Sequence, residues 1–373
     1  MWYYIIAFVL SLLGIYFADQ YYKNKILFVF YSFIALAPTV IIAGFRFHTI
    51  GSDTDFYILP IFNQATKFFT KFSEFSEANP NTDFLYLLYT WLVTRIIDES
   101  YIYLSINHLL ILLPMYITAF RLRKFLSPVM FFLLYYLIFY QESLSIVRQS
   151  IAISLSTLAF TYYVSGSYKK YALLMGLAFG FHSTVVVVLL YPLILWCLKK
   201  YPMSQNIKSY SIFVIIGIFV VINLNFILML LINSGVLNTK YLIYTADSDT
   251  FKGGLGVTNF VLKFLIIYFI YSFRKLNRKL LFADFAYILA IMDLFFCMFA
   301  LLMAPLDRFS LYPRIMTCIT LPILFKISRL HHIDKLNIFK PILILFLMFF
   351  WYYVYMLGDF DSTSDYKMVL SLI

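Results

Sequence analysis

Charge is scarce in this chain. Asp, Glu, Lys and Arg make up 13% of its 373 residues, about half the share of an ordinary soluble domain. That shortage excludes a large water-exposed surface. Cysteine is scarce as well. Cys197, Cys297 and Cys318 all lie inside apolar runs, with neither the pairing of a disulfide framework nor the spacing of a zinc site, and they read as small buried hydrophobes. No His-Glu-x-x-His helix and no cluster of His or Cys occurs, so no metal site and no metal cofactor is expected. The glycine cluster Gly253-Gly-Leu-Gly256 lacks the strand–turn–helix setting of a nucleotide fingerprint. No soluble domain and no convincing repeat is visible either.

What the chain has in excess is apolar length. Hydrophobic residues make up 63%, and mean hydropathy is +0.86. Apolar segments run near 2–18, 26–45, 84–97, 101–120, 125–141, 144–164, 171–198, 209–233, 257–273, 281–303, 314–327 and 340–357. Most approach the length of about 20 residues that crosses a bilayer. They are continuous rather than alternating, so they read as helices, which satisfy their backbone internally in lipid. The fold expected is all-α: a polytopic membrane protein of about 11–13 transmembrane or re-entrant helices, forming a single transmembrane domain over residues 1–373. Aromatic residues reach 21% and gather near the ends of runs, as an interfacial belt requires. The first run, which follows no basic leader, reads as a retained span rather than a cleaved signal.

The formal charge of +11 does not call for nucleic acid, because the basic residues lie in short loops, where they orient a membrane protein. The clusters Lys23/Lys25, Arg121/Arg123/Lys124, Lys169/Lys170, Lys199/Lys200/Lys208, Arg274/Lys275/Arg278/Lys279 and Lys326/Arg329/Lys335/Lys340 are expected inside. Loops 46–83, 234–256 and 304–313 and both termini then face out. Parity requires segment 171–198 to turn back near Gly180-Phe-His182-Ser, which would expose His182 toward the outer half. It also makes the short run 84–97 re-entrant or interfacial. Lys263 and Asp293, each costly within a span, are candidates to pair.

Four outward arginines, Arg46, Arg148, Arg308 and Arg314, sit at span ends, on the side that the basic bias avoids. An arginine fork binds phosphate oxygens bidentately, so together they suit an anionic headgroup, especially a pyrophosphate. Generic anchoring to phospholipid is the plainer reading of any one of them. Arg148 and Gln149 would follow a helix start capped by Ser143, where free backbone N–H groups favour an anion; the bland alternative leaves Glu142 solvated. His182 is either a hydrogen-bonded structural histidine or a general base. Asp53 could bind a sugar hydroxyl or act as base, and Asp55 reads better as a capping residue. Arg308 and Tyr312 are spaced to share a helical face, though Pro313 suits a turn equally well.

The order Arg46-x4-Gly51-x-Asp53-x3-Tyr57, then Ile146-Val-Arg148-Gln149-x2-Ala152, then Phe181-His182-Ser183, then Asp307-Arg308-Phe-x2-Tyr312 resembles the EpsG family of Wzy-type polysaccharide polymerases. Where that family has a glutamate ahead of the short segment, this chain has Asp83. The resemblance implies a GT-C-like, metal-independent glycosyltransferase of the bacterial inner (cytoplasmic) membrane. It would join undecaprenyl-pyrophosphate-linked repeat units of O-antigen, capsule or exopolysaccharide on the outer face. Arg46 and Arg148 would grip a pyrophosphate, with Arg308, Arg314, Gln149, Tyr312 and Tyr57 as further substrate contacts. His182, Asp53 or Glu142 would do the acid–base work. Its partners would be the lipid-linked glycans, membrane lipids, and a chain-length regulator and flippase of the same pathway. Competing readings are a flippase for the same lipid, or an acyltransferase modifying the glycan. The first is disfavoured by the absence of visible repeats, and the second leaves the arginines without work.

Overall fold

The computed structural model describes residues 1–201, 224–235, 257–276, 281–299, 307–330, 334–359 and 362–368. Among them the chain is helical almost throughout, with a single isolated bridge between Arg46 and Met368. Among the described residues, six helices are long and apolar enough to cross a membrane: Trp2–Gln20, Lys25–Gly44, Ser100–Arg121, Ser183–Lys200, Leu281–Met298 and Phe339–Leu357. The membrane domain expected from the sequence is built of two compact units, Met1–His182 with Pro341–Ile373, and Ser183–Lys340.

The first unit begins with α1 (Trp2–Gln20) and α2 (Lys25–Gly44), joined by a tight turn. Asn24 starts α2 because its side-chain oxygen accepts from the backbone N–H groups of Ile26 and Leu27 at 3.2 Å, as an N-cap should. Helices pack closely in lipid through small residues, and Gly14 does this for the pair. A Cβ at Gly14 would lie 2.6 Å from the Ala35 nitrogen and 2.8 Å from its Cα. Gly14→Val is therefore expected to overpack the hairpin at a cost of about 1–3 kcal/mol. The measurement is the apparent melting temperature in detergent; an unchanged value would show that α1 and α2 can separate freely.

The chain continues through α3 (Leu59–Lys67), α4 (Phe72–Ala78), α5 (Phe84–Val93), α6 (Ser100–Arg121), α7 (Pro128–Ile138), α8 (Tyr140–Ser145), α9 (Val147–Val164) and α10 (Tyr168–Phe181). The short run expected to be re-entrant or interfacial is α5. Its ten residues reach about 15 Å, half the hydrocarbon thickness. The run expected to span near 125–141 divides into α7 and α8. The following helix begins at Val147, with Ile146 at its N-cap. Ser143 is therefore not the cap the sequence suggested: it sits inside α8, and its hydroxyl donates to the Tyr140 carbonyl at 2.6 Å. Arg148 moves from the second helical turn to the first.

Basic residues gather at one end of this unit. Arg123 reaches Asp19 at 3.5 Å and lies 3.4 Å over the Tyr22 ring. Arg121 lies 3.7 Å over Tyr162 and donates to Thr161 at 3.0 Å. Lys170 approaches the same Tyr162 ring. Another set of contacts gathers the N-terminus, the end of α2 and the C-terminal tail. Tyr3 and Tyr4 both pack on Tyr366 with ring centres 5.2 Å apart, the Tyr366 hydroxyl donates to the Ile42 carbonyl, and the Phe47 N–H donates to the Lys367 carbonyl. Both termini thus share an end with the loop after Phe45, as the charge pattern suggested.

In the second unit Lys263 and Asp293 do pair, both buried. Arg314 joins them, its Nε 3.6 Å from the same Asp293 oxygen. Arg274 and Asp284 make another buried pair. Buried charges need such partners. The expected loop 304–313 is largely helix instead, Asp307–Ile315, with Pro313 near its end. Most of loop 234–256 and most of the run 209–233 lie outside the described residues.

Candidate active site

The loop after α2 is held from within by Arg46. This arginine is 2% exposed. Its Nε donates to the Ile50 carbonyl at 3.1 Å, Nη1 to Ala43, and Nη2 to Thr54 Oγ1 at 3.0 Å and the Leu144 carbonyl at 2.8 Å. Burial lowers its pKa to about 10, so it stays charged at neutral pH. A buried charge persists only when its donors are used, and here backbone carbonyls use them. The expectation that Arg46 grips a pyrophosphate is corrected accordingly: its fork is turned into the protein, where it straps residues 43–54 to the end of α8.

Gly51 lets that strap close. Its φ is +84°, and a Cβ there would lie 2.5 Å from the Leu144 carbonyl oxygen. Ser52 Oγ meets Ser145 Oγ at 2.9 Å alongside. Gly51→Ala is expected to cost more stability than Gly166→Ala. Gly166 shares the positive φ, at +75°, but would place its Cβ in open space. Strain alone costs about 1–3 kcal/mol, and the clash adds to it only at Gly51. Equal melting temperatures for the two variants would show that the contact with Leu144 carries no weight.

A buried ionic cluster forms where α5, α9 and α10 meet. Asp83 is the N-cap residue of α5, yet its side chain makes no capping bond. One of its oxygens, Oδ2, instead lies 3.2 Å from His182 Nδ1 and 3.5 Å from Arg148 Nη1. The side chains of Asp83, His182 and Arg148 are only 9%, 4% and 14% exposed. Local sequence explains the convergence. Phe181 ends α10 and His182 leaves it in an extended conformation, which turns the imidazole toward α5. Gly180 allows the two helices to touch, since a Cβ there would sit 2.9 Å from Leu85 Cβ. A chain of hydroxyls fixes α5 on α6: Thr90 to Tyr103 and Tyr103 to Tyr86, each 2.8 Å. The Tyr86 ring lies under the Arg148 guanidinium, 5.8 Å from its centre.

His182 is thus at a helix break, as expected, but buried rather than exposed, because Asp83 draws it inward. The sequence singles out Asp83 only as standing where the resembled family has a glutamate and assigns it no role; its contacts with His182 and Arg148 are what the structure adds. Together, a carboxylate that fixes an imidazole, an arginine and the N-terminal turn of α9 can hold an anion beside a base.

The other expected residues are more dispersed. Asp53 precedes a π-helical turn, Thr54–Ile58, and its N–H reaches Ser145 Oγ at 3.4 Å. Asp55 makes no cap but pairs with His48 at 3.2 Å. Tyr57 is 53% exposed on the same turn. Glu142 accepts from the Tyr355 hydroxyl at 3.3 Å rather than standing in solvent, and Gln149 is buried. In the second unit, Arg308 is exposed, whereas Tyr312 is buried with its hydroxyl 2.8 Å from Thr184 Oγ1. Their helical spacing therefore does not give them one environment. Arg314 Nη2 donates to Ser310 Oγ at 2.8 Å.

Comparison with known proteins gives one result that bears on this site. No curated protein and no solved structure matches the chain. The family model that matches is the EpsG family, over residues 28–368. That match takes in Arg46, Asp83, Arg148, His182 and Arg308 and nearly the whole fold, so the chain belongs to the EpsG family of Wzy-like polymerases.

Proposed function

We propose that this protein polymerises undecaprenyl-pyrophosphate-linked oligosaccharide repeat units on the outer face of the bacterial cytoplasmic membrane. The family supports a polysaccharide polymerase in general terms. The observation that carries the finer reading is the single Asp83 oxygen shared by His182 and Arg148 at the start of α9.

The reaction needs two things from the protein. An acceptor hydroxyl of one lipid-linked unit attacks the anomeric carbon of the glycan on another carrier. The new glycosidic C–O bond forms as the C–O bond to pyrophosphate breaks, and the carrier leaves as undecaprenyl pyrophosphate. Pyrophosphate is already a good leaving group, so the enzyme chiefly neutralises its developing charge. Arg148 and the first turn of α9 would supply that neutralisation. The acceptor proton must go to a base. With His182 Nδ1–H donated to Asp83, Nε2 carries the lone pair and would take it. Arg46 orders the loop beside this site rather than touching phosphate. The basic end of the first unit would face the cytoplasm. A chain-length regulator and a flippase would act with the polymerase on the same lipid-linked unit.

The test is reconstitution. Purified protein in proteoliposomes, given purified lipid-linked repeat units and no nucleotide sugar, should lengthen the glycan and release undecaprenyl pyrophosphate. Movement of the lipid between leaflets without lengthening would make the protein a flippase instead.

A further inference from the structure

A concavity lies on the first unit, formed with the loop that Arg46 straps down. It is a cleft of about 430 Å³, with Phe47, His48, Asp55, Asn63, Ser100 and Tyr101 among its lining residues. That volume falls in the range of small-ligand sites. None of these residues belongs to the Asp83–His182–Arg148 cluster.

The chemistry of the lining selects a ligand class. The one carboxylate, Asp55, pairs with His48 at 3.2 Å, both about half exposed. The Arg46 fork, which could have attracted an anion, is spent on carbonyls and on Thr54. An anion would therefore meet a carboxylate and no open guanidinium fork, so the cleft favours a neutral ligand. Tyr101 and Phe47 bring aromatic surface: Tyr101 leans on Phe45 with ring centres 4.9 Å apart, and Phe47 lies 4.1 Å from the His48 ring. Asn63 and Ser100 add amide and hydroxyl groups. Aromatic faces beside a carboxylate, an amide and a hydroxyl match a sugar ring, which has C–H faces and hydroxyl edges.

The wall is also tied to its surroundings by hydrogen bonds. Asp55 rides on the π-helical turn Thr54–Ile58, a local geometry that recurs at functional sites. Thr54 is tied to Leu144 and Arg46, and Ser52 to Ser145. The same loop therefore forms one side of the cleft and abuts the segment that leads into α9 and Arg148.

We propose that this cleft is a glycan subsite that binds a neutral sugar of the lipid-linked repeat unit while the pyrophosphate is held near Arg148. The inference rests on the polymerase reading above. Asp55→Asn, Asn63→Ala and Tyr101→Leu are each expected to raise KM for the lipid-linked unit about 5- to 20-fold, the size of one or two lost contacts, with kcat within about twofold. Phe56→Ala, on the same turn but 76% exposed and outside the cleft, should match wild type. Oligosaccharide released from its carrier by mild acid should bind the wild type in calorimetry and bind Tyr101→Leu more weakly by the same factor. Unchanged KM in all three variants, or equal oligosaccharide binding by wild type and Tyr101→Leu, would overturn the subsite. The binding arm needs no turnover, so a protein that binds the oligosaccharide but makes no polymer would sink the polymerase reading and leave the subsite standing.

Discussion

Asp83→Asn is expected to slow polymerisation by about two to four orders of magnitude, the range set by losing a working general base. Asparagine nearly keeps the shape of aspartate but not the charge that Oδ2 presents to His182 at 3.2 Å and Arg148 at 3.5 Å. Without it the imidazole loses the acceptor that holds a proton on Nδ1 and leaves Nε2 ready. Asp83→Glu restores the charge one methylene out of place and should recover part of the rate. The diagnostic comparison is the double variant with His182→Ala. If Asp83 acts through His182, the double variant loses about as much as the worse single one, because groups that act as a unit are not additive. Multiplied losses would show two separate roles. Rates measured in proteoliposomes, on samples that elute as a single species in detergent, decide between them.

Arg148→Ala is the second large effect, a loss of about two to three orders of magnitude in kcat, the size seen when one stabilising donor of a developing anion is removed. Arg148→Lys should recover only part of it, because lysine offers a point charge where the fork offers paired donors. The split between kcat and KM carries the meaning. An arginine that stabilises the leaving pyrophosphate lowers kcat when removed. One that only holds the lipid raises KM with kcat intact. A Lys variant equal to wild type would mean that charge suffices and that the fork geometry does no work at this position.

Most of the scaffold was legible in the sequence because lipid imposes a simple rule: long apolar runs become helices. The helix break at His182, the short α5 and the pairing of Lys263 with Asp293 all followed from length and the cost of buried charge. What escaped were features that depend on which way a side chain turns. Arg46 looked like an open anion site at a span end, but the glycine turn at Gly51 brings the Leu144 carbonyl to it, a contact across 98 residues that no local pattern announces. Asp83 stood out only as the place where the resembled family has a glutamate, and its bond to His182 spans 99 residues. Ser143 looked like the start of α9, but the break between α8 and α9 moves that start to Val147. That shift brings Arg148 into the first helical turn, beside the N–H groups an anion would meet.

The measurement that bears most directly on the central claim is glycan length in a deletion strain complemented with Arg148→Ala, beside wild type at matched protein level, together with the leaflet in which the lipid-linked units are found. A polymerase whose anion site includes Arg148 leaves single repeat units, on the outer face, with no long chains. Long chains at wild-type abundance would contradict that role for Arg148, and units held on the inner face would contradict the polymerase reading in favour of a flippase.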